Sequence, residues 1–358
     1  MTKKFRILSI NPGSTSTKFA VYENEDPILQ ETVNHTREDL APFPRLADQF
    51  EFRKNAIVDV LTANSIDLAS LDAIAARGGD LGPIPSGTYQ INAAMVERSR
   101  PGRHASNLAP VIADDLSRQL GIPAYVTDPV TVDEFADIAR PSGWPELPRR
   151  SGFHALNQKA IARKAAKDLG RPYEAVNLIV AHLGGGISVG AHQAGKIVDV
   201  NSLEGGLFTP ERSSPRPSTV IREWYTGKHT QDEFMKKLSG EGGIYAYLGT
   251  KDARDVEKMI AEGNEQAKLV YSAMAYQVCK AVGALAAALR GEVDAIVLTG
   301  GIAYSQMFTA WIKERVVYIA PVLLYPGEKE LESLAFGALR ILRGEEKARV
   351  YDFVFLKQ

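Results

Sequence analysis

Apolar residues in the first third of the chain form short runs rich in β-branched and aromatic side chains, separated by glycine, proline and hydroxyl residues. Runs of this kind predict strands, whereas apolar positions repeated every three to four residues predict helices. The pattern predicts three strands, a helix, a strand ending in a Gly-Gly turn, a helix and a further strand. In chain order these elements are 7–10, 19–22, 28–33, 45–64, 71–79, 104–120 and 122–127.

The same order of elements returns in the second half of the chain. A predicted helix precedes a strand over 176–182, a glycine-rich turn and two more strands. Residues 293–301 then repeat the pattern of 71–79, since both read Asp-Ala-Ile, three residues and Gly-Gly. A strand over 316–320 is expected in the place that 124–127 holds in the first half. A duplicated α/β domain with a ligand in the cleft between the halves explains this order, and the alternative is chance matching of short apolar strings.

The remaining pattern predicts helices over 252–260, 264–290 and 330–342, followed by an edge strand over 349–355. Residues 140–148 contain three prolines, a glycine and a tryptophan. Such a segment cannot form a regular element, so we predict the domain boundary there.

Composition narrows the class of protein. A chain of 358 residues is too long for one ordinary hydrophobic core, so two domains are expected. The net charge of -1 indicates no nucleic-acid or membrane partner. The single cysteine, Cys279, excludes an internal disulfide and a cysteine-based zinc site, and its apolar surroundings predict a buried thiol. The first apolar run breaks at Asn11-Pro12-Gly13, too early for a signal sequence, and no run reaches roughly 18 apolar residues. We therefore expect a cytoplasmic protein.

The turn between the first two predicted strands, residues 11–18, is rich in small hydrogen-bond donors. The hydroxyls of Ser14 and Ser16 and the ammonium of Lys18 are groups that bind phosphate, and Gly13 lets a ligand approach the backbone. The alternative is an ordinary Ser/Thr-rich hairpin turn.

Two glycine-rich turns follow strands in the second half. The first is Gly184-Gly185-Gly186, and the second is Gly300-Gly301, which precedes a predicted helix over 304–315. Exposed backbone N–H groups in such turns, and at a helix N-terminus, bind phosphates. The triple glycine can also be a simple bulge. Because both turns end equivalent strands, nucleotide binding is favoured.

A nearby motif resembles a P-loop but lacks its chemistry. Gly190, Gly195 and Lys196 have the required spacing, but the next residue is Ile197 rather than the serine or threonine that binds magnesium. A strand is predicted where a P-loop needs a helix, so this interpretation is rejected.

Four charged or titratable residues are candidates for handling an anion. Arg77 ends a predicted strand, and Arg212 lies in a proline-rich loop where it is either solvated or directed at an anion. Asp128 also ends a strand, where catalytic carboxylates are carried in α/β sheets. His154 follows two arginines; a lone histidine is usually structural, but this neighbourhood favours a functional one.

Short motifs along the chain occur in a fixed order: Asn11-Pro-Gly-Ser14-x-Ser16-x-Lys18, Arg150-Ser-Gly-Phe-His154, Ala181-His-Leu-Gly-Gly-Gly186, Phe208-Thr-Pro-Glu-Arg212-Ser, Asp252-Ala-Arg254 and Thr299-Gly-Gly-Ile302. In this order they resemble the signatures of the acetate kinase family, the actin-like carboxylate kinases. The resemblance covers nearly the whole chain. It is closest to the butyrate-kinase branch, since Arg77-Gly-Gly stands where acetate kinases have His-Gly-Gly and His104-Ala-Ser-Asn-Leu stands in the His-Asn loop.

The resemblance implies an α/β fold of duplicated actin-like (ASKHA, ribonuclease H-like) domains with mixed central sheets and an interdomain nucleotide cleft. With the boundary predicted at 140–148, we expect an N-terminal domain over 1–148 and a nucleotide-binding domain over 149–331, with 332–358 packing back on the first. The implied reaction is reversible, ATP-dependent phosphorylation of butyrate or a close relative to the acyl phosphate, with ATP/ADP and Mg²⁺. We also expect a homo-oligomer with no nucleic-acid or membrane partner; the alanine-rich helix predicted over 264–290 serves either a dimer interface or simply the core.

The resemblance also implies roles for individual residues. Nucleotide contacts would come from Ser14, Ser16, Lys18, His182, Gly184, Gly185, Gly186, Asp252, Arg254, Gly300, Gly301, Ile302 and Tyr304. Arg212 and His154 would stabilise the transferring phosphoryl group, and Asp128 would be the catalytic carboxylate.

Two positions stay open. The family's substrate arginine falls at Ile74 here, so Arg77 would replace it. Asn11 would help to hold magnesium, with Glu328 and Glu330 as competing partners.

The alternatives from other classes are an acetate or propionate kinase, a non-catalytic actin-like nucleotide-binding regulator, and a sugar kinase or repressor on the same fold.

Overall fold

The computed structural model describes residues 3–102, 104–201 and 206–352. They form two compact units. The first comprises the described parts of Met1–Asp133, Ala155–Asn157 and Lys329–Gln358, and the second those of Glu134–His154 and Gln158–Glu328. The domain limits derived from the sequence stay a prediction, and residues 353–358 of the predicted C-terminal segment lie outside the described residues.

Each unit is built around a mixed β-sheet. The strands are β1 (Arg6–Pro12), β2 (Ser16–Glu23), β3 (Asp26–Asn34), β4 (Ala73–Ala76), β5 (Thr88–Gln90), β6 (Ala124–Thr127), β7 (Leu178–Leu183), β8 (Ile187–Gln193), β9 (Lys196–Asn201), β10 (Ala295–Gly300), β11 (Val322–Pro326) and β12 (Arg349–Val350). The described strands of the first unit have the order β12-β5-β6-β4-β1-β2-β3, and those of the second have the order β11-β10-β7-β8-β9.

The duplication predicted from the sequence is present in these sheets. In the first, β1 pairs antiparallel with β2 and parallel with β4, which pairs parallel with β6. In the second, β7 pairs antiparallel with β8 and parallel with β10, which pairs parallel with β11. The repeated Asp-Ala-Ile strands are therefore β4 and β10, and each lies beside the first strand of its own sheet.

Helices cover both faces of each sheet. They are α1 (Arg37–Leu40), α2 (Phe50–Ala63), α3 (Ala93–Ser99), α4 (Leu108–Leu120), α5 (Ala155–Asp168), α6 (Pro217–Trp224), α7 (Gln231–Leu238), α8 (Gly243–Leu248), α9 (Ala253–Ala261), α10 (Glu265–Ala288), α11 (Gln306–Val316) and α12 (Glu330–Leu342). Strand side chains alternate between faces, so Leu8 packs with α2 and α4 while Ile7 packs with α12. In the second unit Ile179 packs with α10 and α11, and Val180 packs with α5.

Helix α10 is long and apolar enough, by length and composition, to cross a membrane. Its apolar side is instead part of the core of the second unit, where Tyr271 and Met274 are fully buried. Cys279 is also buried in this core, as predicted, and burial raises the pKa of its thiol to about 11. Such a thiol stays protonated and is a poor nucleophile at neutral pH.

The strand predicted over 316–320 is wrong. The apolar spacing of Phe308 and Ile312 continues to Val316, which is the last residue of α11, and the strand begins only after Pro321. Five apolar residues fit either element by periodicity alone. Here only Val316 is helical, and residues 317–320 lie in the turn that follows α11, with Val317 and Tyr318 exposed. The predicted edge strand over 349–355 is β12 at Arg349–Val350, and its last residues lie outside the described ones.

Candidate active site

The predicted phosphate-binding turn joins β1 to β2. The hairpin register places Asn11 opposite Lys18, so an amide and an ammonium flank the turn. Lys18 is exposed and Asn11 is partly exposed, which leaves both side chains accessible to a ligand.

Arg53 holds this turn from behind. Its guanidinium is fully buried and donates to the carbonyl oxygens of Gly13 at 2.9 Å, Ser14 at 3.1 Å and Ser16 at 2.8 Å. The carbonyls of the turn therefore face the protein interior and its shape is fixed. Burial lowers the pKa of Arg53. No sequence pattern indicated this role, because Arg53 is one charged residue within a predicted helix.

The parallel pairing of β1 and β4 brings Asn11 close to Arg77. The N–H of Arg77 donates to the carbonyl of Ile10 at 2.9 Å, at the carboxyl ends of both strands. Open α/β sheets bind ligands at this edge. Glu330, the first residue of α12, completes the cluster.

Glu330 contacts both neighbours. The amide of Asn11 donates to Glu330 Oε2 at 2.6 Å, and Arg77 Nη2 lies 3.5 Å from Glu330 Oε1. Arg77 Nη1 is buried and has no hydrogen-bond partner among the described residues. A buried donor of this kind is costly unless a ligand pairs with it.

These residues line a cavity of about 740 Å³ in the first unit. The candidates that line it are Asn11, Ser16, Lys18, Arg77 and Glu330. Sequence reasoning did not single out Arg98, Pro101 and Val130, which also line it. The cavity therefore combines cations with a small apolar wall. Ser14 and Asp128 are not among its lining residues.

Asp128 follows β6 and is buried. Its φ of 40° is in the left-handed region, which is uncommon outside glycine. The N–H of Gly87 donates to Asp128 Oδ1 at 2.7 Å, so the carboxylate has a fixed orientation.

In the second unit, Gly184, Gly185 and Gly186 form the turn between β7 and β8, as predicted. The hydroxyl of Thr209 donates to the carbonyl of Gly185 at 2.7 Å, which fastens the loop that carries Arg212 to this turn. Arg212 Nε is buried and has no partner among the described residues. The loop therefore does not leave this arginine simply solvated.

A second cavity, of about 710 Å³, adjoins the glycine turn. Of the candidates, it is lined by Gly184, Gly185, Asp252, Arg254, Gly301, Ile302, Tyr304 and Glu328. Asp252 caps α9 and accepts from the Arg254 guanidinium at 2.9 Å. The Arg254 hydrogen bond lowers the pKa of Asp252 to about 2. The lining residues that sequence reasoning missed include Lys251, Glu257 and Ser305.

Gly300 does not line this cavity but shapes its edge. Its φ is 90°, and a Cβ there would lie 2.4 Å from the carbonyl oxygen of Leu183, so only glycine fits. The helix predicted from Tyr304 begins later: one 3₁₀ turn covers Gly301–Tyr304, and α11 starts at Gln306 with Ser305 as its cap.

Two histidines lie beside the glycine turn. His154 and His182 are stacked with ring centroids 3.8 Å apart, and His182 Nε2 lies 3.1 Å from Glu328 Oε1. Glu328 is thus a neighbour of His182, whereas Glu330 is a neighbour of Asn11. The structure separates the two carboxylates that the sequence left as competitors.

Comparison with known proteins identifies the family of this chain. Residues 139–319 match the model of the Acetokinase family. The chain is 51% identical to Butyrate kinase 2 of Clostridium acetobutylicum, over 97% of this chain and 99% of that protein. The chain belongs to the acetokinase family. The resemblance inferred from the ordered motifs is therefore confirmed.

Solved structures agree on the fold. An acetate kinase from Porphyromonas gingivalis superposes with a TM-score of 0.79 at 21% identity, covering 94% of this chain and all of that one (100%). A propionate kinase from Francisella tularensis gives a TM-score of 0.73 at 21% identity, covering 93% and 98% of the two chains. The predicted duplicated actin-like fold of this acetokinase-family chain is confirmed. The family and the 51% identity to a butyrate kinase indicate ATP-dependent phosphorylation of a carboxylate.

Proposed function

We propose that this protein transfers the γ-phosphoryl group of ATP to the carboxylate of butyrate, or of a closely related short-chain fatty acid, giving ADP and an acyl phosphate. The single observation that carries the proposal is the 51% identity, over 97% of the chain, to a butyrate kinase. The motifs that line both cavities support it. An acetate or propionate kinase is the second candidate, because the solved neighbours have those names.

The acid needs no general base. A short-chain carboxylic acid, with a pKa close to the ~4.3 of glutamate, is already ionised at neutral pH. We therefore assign Asp128 to orientation of a basic group or of magnesium rather than to proton abstraction. Its buried carboxylate, fixed by Gly87, suits that role.

The main obstacle is electrostatic, since an anion must attack a polyanion. Transfer passes through a loose transition state whose charge is spread over the phosphoryl oxygens. In the first unit, Lys18 would bind phosphate and Arg77 Nη1 would pair with the acid carboxylate. In the second unit, Arg212 and His154 would stabilise the transferring group. Buried donors that need no reorganisation are the effective form of such stabilisation.

Asn11 and Glu330 are the residues that would hold Mg²⁺. An amide oxygen and a carboxylate oxygen are hard ligands. The hydrogen bond from Asn11 Nδ2 to Glu330 Oε2, at 2.6 Å, holds the two side chains side by side and leaves Asn11 Oδ1 outside that bond. Among the described residues no three His, Cys, Asp or Glu side chains form a cage, which suits an ion that keeps several waters and binds substrate phosphates. When bound, Mg²⁺ supplies neutralising charge at the β- and γ-phosphates.

The second cavity is the proposed nucleotide site. The bare backbone of Gly184 and Gly185 would approach phosphates, and Asp252 with Arg254 would lie near the adenosine. The exposed ring of Tyr304 offers a flat apolar surface there. We also propose a cytoplasmic homo-oligomer without nucleic-acid or membrane partners.

The preference for one acyl chain length is assigned to the first cavity. Pro12, Pro101 and Val130 give it an apolar wall for an alkyl tail. One methylene in such a pocket is worth about 1–3 kcal/mol, so neighbouring acids are expected to compete with butyrate.

Hydroxylamine trapping tests the proposed reaction. The protein, ATP and Mg²⁺ are incubated with straight-chain acids of two to six carbons and, in parallel, with a panel of sugars. We expect acyl hydroxamate with the acids, with kcat/KM highest at butyrate or an adjacent length. Acid-independent ATP binding without turnover would instead support a regulator, and phosphorylated sugar would support a sugar kinase.

Lys18→Ala should lower kcat by roughly 10²-fold, the scale for loss of one donor to developing charge. Because Lys18 is exposed, the free energy of unfolding should change by no more than ~0.5 kcal/mol. Steady-state kinetics and urea denaturation measure the two effects. Lys4→Ala is the matched control, since Lys4 is an exposed lysine that pairs with Glu23. The same kcat in Lys18→Ala and Lys4→Ala would contradict the proposal that Lys18 binds phosphate.

A further inference from the structure

A buried hydrogen-bond chain of polar side chains ends at His154. Tyr173 Oη is 2.7 Å from His192 Nδ1, and His192 Nε2 is 3.2 Å from Gln158 Oε1. Gln158 Nε2 is 2.9 Å from Ser188 Oγ, which is 2.8 Å from His154 Nδ1. Gln158, Ser188 and His192 are fully buried, so water does not compete for these hydrogen bonds.

The proton positions in this hydrogen-bond chain follow from one backbone group, the carbonyl of Ser188. Gln158 Nε2 also lies 3.0 Å from the carbonyl oxygen of Ser188, and a carbonyl can only accept. This fixes the amide orientation, so Gln158 Oε1 faces His192 and His192 Nε2 carries the proton. His192 Nδ1 then accepts from Tyr173. Burial, with Lys159 and Arg163 nearby, holds the pKa of His192 well below its ordinary value, so the ring is neutral.

The same reasoning reaches His154 through Ser188. Ser188 Oγ accepts from Gln158 Nε2 and from the backbone N–H of His154 at 3.2 Å. A hydroxyl has two acceptor sites and one proton. Both acceptor sites are used, so the hydroxyl proton is directed at His154 Nδ1.

We propose that Ser188 and Gln158 are positioning residues that keep Nδ1 of His154 an acceptor, so that the N–H of the neutral ring is at Nε2. A proton on Nδ1 would leave Ser188 Oγ facing three donors with two acceptor sites. Stacking on His182 fixes the plane of the ring. This inference rests on the proposed role of His154, because the Nε2–H is the donor that would stabilise the transferring phosphoryl group.

The hydrogen-bond chain accounts for part of the P-loop-like motif, residues 190–196. A Cβ at Gly190 would lie 2.5 Å from Gln158 Oε1, so glycine makes room for the amide. His192 is a member of the chain, and the carbonyl of Gly195 accepts from Lys159 Nζ at 2.8 Å. Gly190 and His192 therefore belong to this hydrogen-bond network, and Gly195 accepts a separate hydrogen bond.

The test is ¹⁵N NMR of the full chain labelled at histidine, with His154 assigned by its absence in His154→Gln. We expect wild-type His154 to show the Nε2–H tautomer. Ser188→Ala should give a mixture of tautomers and lower kcat by roughly 10–100-fold, the scale for loss of an orienting partner. KM for ATP should stay within about threefold, because no nucleotide contact is removed.

Ser188→Thr retains the hydroxyl and should restore the wild-type tautomer and much of kcat. Ser9→Ala is the matched control, since Ser9 is a fully buried strand serine that donates to the carbonyl of Ala20; it should change neither quantity.

An Nδ1–H pattern in the wild type overturns the proposal, whether or not Ser188→Ala folds. So does a folded Ser188→Ala with unchanged tautomer and kcat. A wild type that phosphorylates no acid would overturn the proposed function instead, and the NMR result does not depend on that activity.

Discussion

Arg212→Ala is expected to lower kcat by roughly 10³-fold or more, the scale of losing an arginine that stabilises a transferring phosphoryl group. The Nε of Arg212 is buried without a partner among the described residues. Thr209 fastens the loop that carries Arg212 to Gly185, so the backbone at Arg212 is tethered to the glycine turn. Coupled detection of ADP and hydroxamate trapping measure the loss.

Arg216→Ala is the matched control, because Arg216 lies in the same proline-rich loop but is exposed. It should leave kcat within about twofold. Arg212→Lys should recover only part of the activity, since lysine keeps the charge but loses the planar fork. Near-normal turnover in a folded Arg212→Ala protein would contradict the role given to Arg212.

Glu330→Gln is expected to raise the Mg²⁺ concentration for half-maximal activity by at least about 10–100-fold, which is what loss of even an outer-shell partner costs. The physical reason is the loss of one full negative charge beside Asn11. Electron paramagnetic resonance of Mn²⁺ with ATP and protein gives a direct measure of metal binding, separate from turnover.

Glu328→Gln is the control, since its carboxylate pairs with His182 and not with Asn11. Its Mg²⁺ dependence should stay within about threefold of the wild type. A larger shift in Glu328→Gln than in Glu330→Gln would reverse the assignment.

Local patterns made most of the fold predictable. Strands β1, β2 and β4 follow from short β-branched and apolar runs, and α12 begins and ends where its spacing predicted. The error at 316–320 arose because five apolar residues satisfy both periodicities. Only Val316 continues the helix and joins the core of the second unit. Residues 317–320 lie in the turn that follows, where Val317 and Tyr318 are exposed.

The candidate site was predictable where it consists of contiguous motifs. Asp252 and Arg254, two residues apart, form their own ion pair, and the glycines mark their turns directly. The role of Arg53 could not be predicted from the sequence, because its partners are backbone carbonyls about forty residues away along the chain. Arg98 and Val130, which line the first cavity, were missed because neither belongs to a motif.

The sequence by itself determined the family, the duplicated order of strands and the residue types that can bind a nucleotide and a carboxylate. These depend on local periodicity and on short-range spacing, which are written along the chain. Only the tertiary structure decided that Glu330 rather than Glu328 joins Asn11, across 319 residues of chain. It alone also set the hydrogen-bond chain from Tyr173 to His154. Both depend on which side chains share one buried volume, and no local pattern specifies that.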